Sequence, residues 1–387
     1  MKCLIVNGHL RVGGVERSLL DLLHAIDTSK HQVDLLLLED LGECMSEIPK
    51  DVRVIYWDLK PAYGSLHQVF IRSWRERKLS WFLLKIIFLL AYRISPRFYT
   101  MLSWFHKVEK YYDCAIAYRV DLPLYYVAFA ARARVKCVWW HNGRFDYDER
   151  RVKSWRKAFE KIHHIVCVSQ ATKNMIEPYF PGLEEKMTVI PNMINSERIV
   201  HAAEQFDPYD GFADRTILVS VGRLSEEKHM GDTVDVMQKL LTRGYHDLIW
   251  FLVGDGPQRH FIEERIHKLG LEHYFVLTGN QVNPYPYIKH ADLFVHPSWV
   301  ESQGIAVLEA MALERPCVVV RSAGTEEFVV DGVNALLAER TTDSLADKIE
   351  SALQRQKCQK QDEQKSTVSS FAPDRILSMI NNLISTC

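Results

Sequence analysis

The chain lacks net charge, paired cysteines and any apolar run long enough to cross a bilayer, and each absence removes a class of function. Lys and Arg number 48 against 49 Asp and Glu, a formal charge of −1, so no global field favours nucleic acid and none is expected as a partner. The eight cysteines are scattered without a C-x-x-C pair. They read as buried, reduced thiols of a cytosolic protein, not as zinc ligands or disulfides. No uninterrupted apolar stretch reaches the ~20 residues of a membrane-spanning helix. The opening run Met1-Lys-Cys-Leu-Ile-Val-Asn-Gly is too short in apolar length for a signal peptide and reads as a first strand. These features point to a cytoplasmic location. No repeat of solenoid period occurs, and the only low-complexity tract is the polar run Gln354–Gln364.

What is present is enough apolar sequence for two cores. A length of 387 residues exceeds one ordinary domain. Residues 1–200 carry a charge balance of +8 and the remainder −9, which also separates two units. Strands are expected at 4–7, 32–38, 52–57, 114–118, 136–140 and 164–168. After Arg215 they recur near 216–221, 248–253, 274–278, 292–296 and 316–320. Helices are expected near 15–26, 230–243, 257–270, 304–314 and 342–355. Strand–helix alternation of this kind gives α/β units with parallel sheets, which bind ligands outside the carboxyl ends of their strands. The expected organisation is a unit over 1–195, a linker over 196–214 within the weakly periodic stretch Pro191–Asp214, and a second unit over 215–370.

The chemistry-bearing residues cluster at those strand ends. Glu301 follows a buried strand ending in Pro297-Ser298, and Glu309 lies in the helix that opens at Gly304 and Ile305. Free backbone N–H groups at such a helix start suit an anion, and a carboxylate on either side suits sugar hydroxyls. Arg223 and Lys228 share one loop after the first strand of the second half, and two cations there suit a diphosphate leaving group. Gly254 opens a Gly-Asp-Gly-Pro turn that lets a nucleotide approach the backbone. Gly13 and Gly14 do not complete a G-x-G-x-x-G fingerprint, and no suitable acidic residue ends the second strand, so a nicotinamide site is poorly supported. His141, in Trp139-Trp-His-Asn-Gly-Arg, stands just past a strand. Each feature has a plainer explanation alone: solvated charges, tight turns, a structural histidine.

In this order and spacing the motifs resemble family 4 retaining glycosyltransferases of GT-B fold, in which two Rossmann-like domains face each other across a cleft. The E-x7-E motif matches Glu301 to Glu309, the basic pair Arg223 and Lys228, the Gly-Gly loop Gly13-Gly14-Val-Glu-Arg, and the acceptor-side histidine His141. The resemblance implies transfer of a sugar from a nucleotide-sugar donor, by family prevalence a UDP-sugar, to a saccharide or lipid-linked acceptor in glycan biosynthesis. Glu301 would contact donor-sugar hydroxyls and Glu309 the ribose. Arg223, Lys228 and the amides of Gly304 and Ile305 would neutralise the departing diphosphate. Gly13 and Gly14 would allow close approach of donor and acceptor, and His141 would lie near the reacting carbon. With these cations in place, and no Asp-x-Asp motif near the site, no metal or other cofactor is expected. The resemblance also implies that a last helix over 371–387 crosses back to the first domain. A sugar-nucleotide epimerase or hydrolase, and a non-catalytic sugar-nucleotide-binding partner subunit, remain alternatives.

The chain departs from the family pattern in three places. Pro191-Asn-Met-Ile-Asn replaces Pro-Asn-Gly-hydrophobic-Asp, Gln303-Gly304 replaces Phe-Gly, and Asn334-Ala335 replaces Asn-Gly. Residues 61–110 are aromatic and basic, with nine Lys and Arg against Glu76 and Glu109. They read equally as a core element or as a segment that seats the chain on an anionic membrane surface.

Overall fold

In the computed structural model two parallel sheets share one strand order. The structure describes residues 1–39, 42–56, 66–83, 85–86, 110–354 and 361–385; residue 84 and residues 87–92 of the apolar run after Trp81 lie outside them. The first sheet comprises β1 (Lys2–Asn7), β2 (Gln32–Leu37), β3 (Arg53–Tyr56), β4 (Tyr111–Ala117), β5 (Arg132–Trp140), β6 (His164–Cys167) and β7 (Met187–Val189), in the order β3-β2-β1-β4-β5-β6-β7. The second comprises β8 (Thr216–Val221), β9 (Leu248–Val253), β10 (Phe275–Gly279), β11 (Leu293–His296), β12 (Cys317–Val320) and β13 (Leu336–Ala338), in the order β10-β9-β8-β11-β12-β13. Each is a doubly wound sheet whose strand order reverses once, between β1 and β4 and between β8 and β11. Those reversals open the crevices in which such sheets hold ligands.

The strands form where sequence is apolar on both faces. All six residues of β9 are buried, as expected for a parallel strand covered by helices on both sides. The helix Gly14–Ala25 covers the first sheet with Leu19, Leu20, Leu22 and Leu23. β7 and β13 were not foreseen; at three residues each they are too short to show a period. The six described cysteines (Cys3, Cys44, Cys114, Cys137, Cys167 and Cys317) are free and buried in these cores.

The stretch expected to be an aperiodic linker contains a helix, Ser196–Ala203. Asn195 caps it, its side chain accepting the Arg198 N–H at 3.1 Å, and Ile199 and Ala203 are buried against the second unit. A helix of eight residues with two buried positions is too short for a clear stripe. The last helix, Pro373–Ser385, crosses back to the first unit, where Ile376, Ile380, Leu383 and Ile384 join the core around Leu19 and Leu23. The two passages between units touch, because the Ile194 N–H donates to the Phe371 carbonyl at 2.8 Å. The units are thus joined by one paired crossing. Ile380→Ala, at a position 6% exposed, should lower stability by about 2–4 kcal/mol through the lost contacts and the cavity left behind, measured by urea unfolding.

Candidate active site

The reversal point of the second sheet is occupied by an ion pair between a half-buried lysine and a carboxylate that is nearly enclosed. The loop after β8 brings Lys228 and the loop after β11 brings Glu301, with Nζ and Oε1 2.6 Å apart. The same oxygen lies 2.8 Å from Nε2 of His296, the last residue of β11. Burial works against the Glu301 charge, but Lys228 and the hydrogen bond to His296 overcome it and hold the carboxyl below its ordinary range. Glu301 is therefore a carboxylate at every ordinary pH. The two loops are braced together by His229 stacked on Trp299, centroids 3.9 Å apart and planes 11° from parallel. Gly304 then turns the chain into the helix Ile305–Ala312 with φ +86°, and a Cβ there would lie 2.6 Å from Thr325. A residue with a side chain would meet both strain and collision. The first N–H groups of such a helix have no intrahelical partner.

The first unit closes on this loop. A Cβ on Gly143 would sit 2.7 Å from the Glu301 carbonyl carbon and the Ser302 nitrogen, and one on Gly324 would sit 2.6 Å from the Glu301 oxygen. Backbone from both units therefore clamps residues 301–302, leaving no room for a side chain on either side. Thr172 of the first unit directs its hydroxyl at the Ser302 carbonyl, at 3.4 Å. Glu327 of the second unit accepts the N–H groups of Gln170 (3.0 Å) and Ala171 (2.5 Å), the first residues of the helix Gln170–Ile176. Gly14 faces Ile305, with 3.9 Å from an ideal Cβ to Cδ1. His141, two residues before Gly143, leans on the Tyr118 ring at 4.9 Å. Its Nε2 is buried without a hydrogen-bond partner. Burial, helped by Arg119, lowers its pKa to about 3, so the ring is neutral. At the reversal point of the first sheet Arg119 pairs with the buried Glu16 at 2.7 Å.

Glu309 occupies a different environment. It is buried, its Oε1 accepts the Tyr285 hydroxyl at 3.0 Å, and it shares no bonded partner with Glu301. Burial pushes its pKa up to about 7 against the pull of Arg17. Arg17 extends from the first unit to pair with Glu47 at 2.7 Å, donates to the Val282 carbonyl, and lies 5.6 Å over the Tyr285 ring. Arg198 adds pairs to Asp21 at 2.6 Å and to Glu47 at 3.1 Å. A charge cluster of buried Arg17 and Asp21 with half-buried Glu47 and Arg198 thus lies by Glu309 at the contact between units.

The structure brings together Lys228, Glu301, Gly304, Ile305, Gly14 and the His141 loop. Arg223 is exposed and makes no ion pair among the described residues. At Gly254 (φ +144°) a Cβ would lie 2.0 Å from the Gly222 carbonyl oxygen, so packing between the two loops is enough to require glycine there. Gly13 is extended, and a Cβ would meet only the end of the Glu16 side chain. Among the described residues no group of three His, Cys, Asp or Glu side chains converges to hold a metal.

Residues 12–198 match the description Glycosyltransferase Family 4, and residues 203–367 match Glycosyl transferases group 1. The chain belongs to this glycosyltransferase family. It is 29% identical over 168 residues to an uncharacterized glycosyltransferase of Methanocaldococcus jannaschii, covering 42% of this chain and 41% of the relative. It is likewise 29% identical over 198 residues to the 2-deoxystreptamine N-acetyl-D-glucosaminyltransferase of Niallia circulans, 49% of each. The chain spans about half the length of the curated relatives it matches. The structure of Anabaena HepE in complex with UDP superposes with TM-score 0.73 at 20% identity, covering 100% of both chains. Sucrose-phosphate synthase from Thermosynechococcus elongatus gives 0.73 at 16%, covering 100% of this chain and 98% of that one. These likenesses establish the GT-B fold.

Within this family member, reasoning from sequence missed His296, Arg17, Gly143 and Gly324. His296 was legible in part, as a polar residue ending an otherwise apolar strand. Gly143 was quoted beside His141 but assigned no part, because what it approaches comes from the other unit. One consequence is open to direct measurement. Between the ordinary carboxyl range and about pH 7 the folded chain keeps a proton on Glu309 that the unfolded chain has already released. Wild-type stability therefore falls as pH rises through that window. Glu309→Gln removes the ionisation and should gain on the parent between pH 5 and pH 8 by on the order of 3 kcal/mol, followed by denaturation at both pH values. An unchanged difference would mean that Glu309 titrates normally.

Proposed function

We propose that this chain transfers a sugar from a nucleotide-sugar, with UDP as the nucleotide, to a saccharide or lipid-linked acceptor, with retention of configuration. The carrying observation is the Lys228–Glu301–His296 group beside the free start of the Ile305–Ala312 helix, clamped where the two units meet. Glycosyl transfer develops positive charge on the sugar ring and negative charge on the departing diphosphate. Lys228, the exposed Arg223 and the Gly304 and Ile305 amides stabilise the latter. Glu301, ionised throughout, accepts hydroxyls of the donor sugar. Glu309 takes the ribose. The neutral His141 accepts or donates a hydrogen bond near the reacting carbon without adding charge. Retention follows if the departing phosphate takes the acceptor's proton on the face it leaves. Because Lys228 and Arg223 supply the cations that a metal would otherwise provide, turnover needs none.

Purified protein incubated in EDTA with a panel of sugar nucleotides and lipid-linked acceptors should release nucleotide and move label to acceptor from one donor. Lys228→Ala and Glu309→Ala should each lower that rate by about 10²-fold or more, with circular dichroism unchanged. Full activity in both would remove the site assignment, and release without labelled acceptor would point to a hydrolase or epimerase.

The acceptor reading extends to a membrane surface. The helix Leu66–Arg75 exposes Leu66, Phe70, Ile71 and Trp74, the last at 69%, on an element that ends in Arg72 and Arg75. No helix among the described residues is long and apolar enough to cross a membrane, so an attachment here would be peripheral, at the inner face of the cell membrane. The chain should sediment with anionic vesicles at low salt, and Trp74→Glu should release it. Failure of the parent chain to sediment would exclude this attachment.

A further inference from the structure

One departure from the family pattern, Gln303, meets Asn192, a residue that the chain shares with that pattern. Gln303, where the family carries Phe, is 2% exposed, and its amide is fully engaged by Asn192 at the start of the crossing between units. Gln303 Oε1 accepts both the Asn192 backbone N–H and its side-chain Nδ2, each at 2.7 Å, and Gln303 Nε2 donates to the Asn192 carbonyl at 3.2 Å. Asn192 Oδ1 in turn accepts the Ser18 hydroxyl at 2.6 Å. Ser18 Oγ lies 2.7 Å from the Tyr118 hydroxyl, and the Tyr118 ring supports His141. All four residues are buried.

We infer that Gln303, Asn192 and Ser18 form a neutral positioning relay that sets the donor loop against the first unit. At one end lies Gly304, whose amide opens the Ile305–Ala312 helix. At the other lie the Gly13-Gly14 helix and the wall behind His141. A Phe at 303 would fill space but could not bind the backbone of residue 192, whereas Gln binds both its N–H and its carbonyl. The relay sits beside the paired crossing of the chain, so a change in the angle between units must strain or break it. It contains no ionisable group that titrates near neutrality, so it holds across pH, unlike the charge cluster over Glu309. Its effect on turnover rests on the transferase reading above; the mechanical coupling does not.

Hydrogen exchange separates the two. Ser18→Ala removes one donor on the first unit, far in sequence from the donor loop, and leaves every residue assigned to donor binding in place. It should raise amide exchange in residues 299–306 and 190–196 by about fivefold to tenfold, the scale of one lost buried hydrogen bond, with β9 unchanged. Gln303→Met, of similar length but without the amide, should do the same and should also loosen residues 13–18. With Ser18→Ala and Gln303→Met combined, loop exchange should not exceed that of Gln303→Met alone, since both act through one chain. In donor turnover, Ser18→Ala should lower kcat by about fivefold to tenfold through misplacement of the loop while KM changes less than about twofold. Exchange that rises only around the substituted residue overturns the relay whatever the activity. A parent chain that turns over no donor counts against the transferase reading, and the exchange result still decides the coupling.

Discussion

The carboxylate of Glu301 is the constraint from which the arrangement of the second unit follows. A buried charge is tolerated only if it is paired and hydrogen-bonded. Here the ammonium comes from the loop after β8 and the imidazole from the end of β11. Lys228 arrives because β8 and β11 lie side by side at the reversal of strand order, while His296 immediately precedes the loop that carries Glu301. Removing either partner leaves an unpaired charge where water is scarce, so the pair holds two loops in one geometry. The His229–Trp299 stack fixes the same two loops from outside. The Glu301 loop leads at Gly304 into the Ile305–Ala312 helix, so fixing the loop places the start of the helix.

The two units treat their reversal points alike. In the first unit the opening turn of the helix Gly14–Ala25, which follows β1, carries Glu16, and the segment just after β4 carries Arg119; these pair across the reversal as Lys228 and Glu301 do in the second. The likeness ends at the glycines. Gly143 and Gly324 allow backbone of both units to press on residues 301–302, so the position of the Glu301 carboxylate is set by interdomain contact as much as by its own sheet. A site built this way is complete only when the units are closed. Among the described residues its elements are spread over a chain that passes between the units at two adjacent places, around Ile194 and Phe371.

Sequence carried the fold because alternation of buried strands and amphipathic helices is a local signal. The strands from 216 to 320 emerge within a residue or two of expectation, since runs such as Leu248–Val253 are apolar throughout. Less visible were elements with no period to read: β7 and β13 at three residues, and the helix Leu122–Phe129, which is apolar on nearly every side. The site divides in the same way. Glu301, Lys228 and Gly304 carry local signals, namely a carboxylate after a buried strand, cations in a glycine-flanked loop and a glycine before a helix. Arg17, Gly143 and the Gln303–Asn192 pairing carry none, because their meaning depends on residues more than a hundred positions away. Gln303, which looked like the loss of a motif residue, proves to be a contact to a retained one, Asn192.

The two glutamates of a single motif are held in opposite electrostatic states, and the difference ties chemistry to closure. Glu301 has its cation from its own unit, so its charge does not depend on how the units stand. The cation that acts most strongly on Glu309, Arg17, comes from the other unit, with Asp21 of that unit opposing. The Tyr285 phenol, whose proton is held more tightly through burial and the neighbouring Glu309 charge, donates to Glu309 in both of its protonation states. Only a further hydrogen-bond donor, such as a hydroxyl, distinguishes the ionised form, which binds it more strongly. Linkage runs both ways: if the approach of Arg17 favours loss of the Glu309 proton, loss of that proton favours the approach of Arg17. The field at Glu309 thus depends on how the units stand, through Arg17 and Asp21, while Glu301 and Lys228 hold a fixed pair within the second unit.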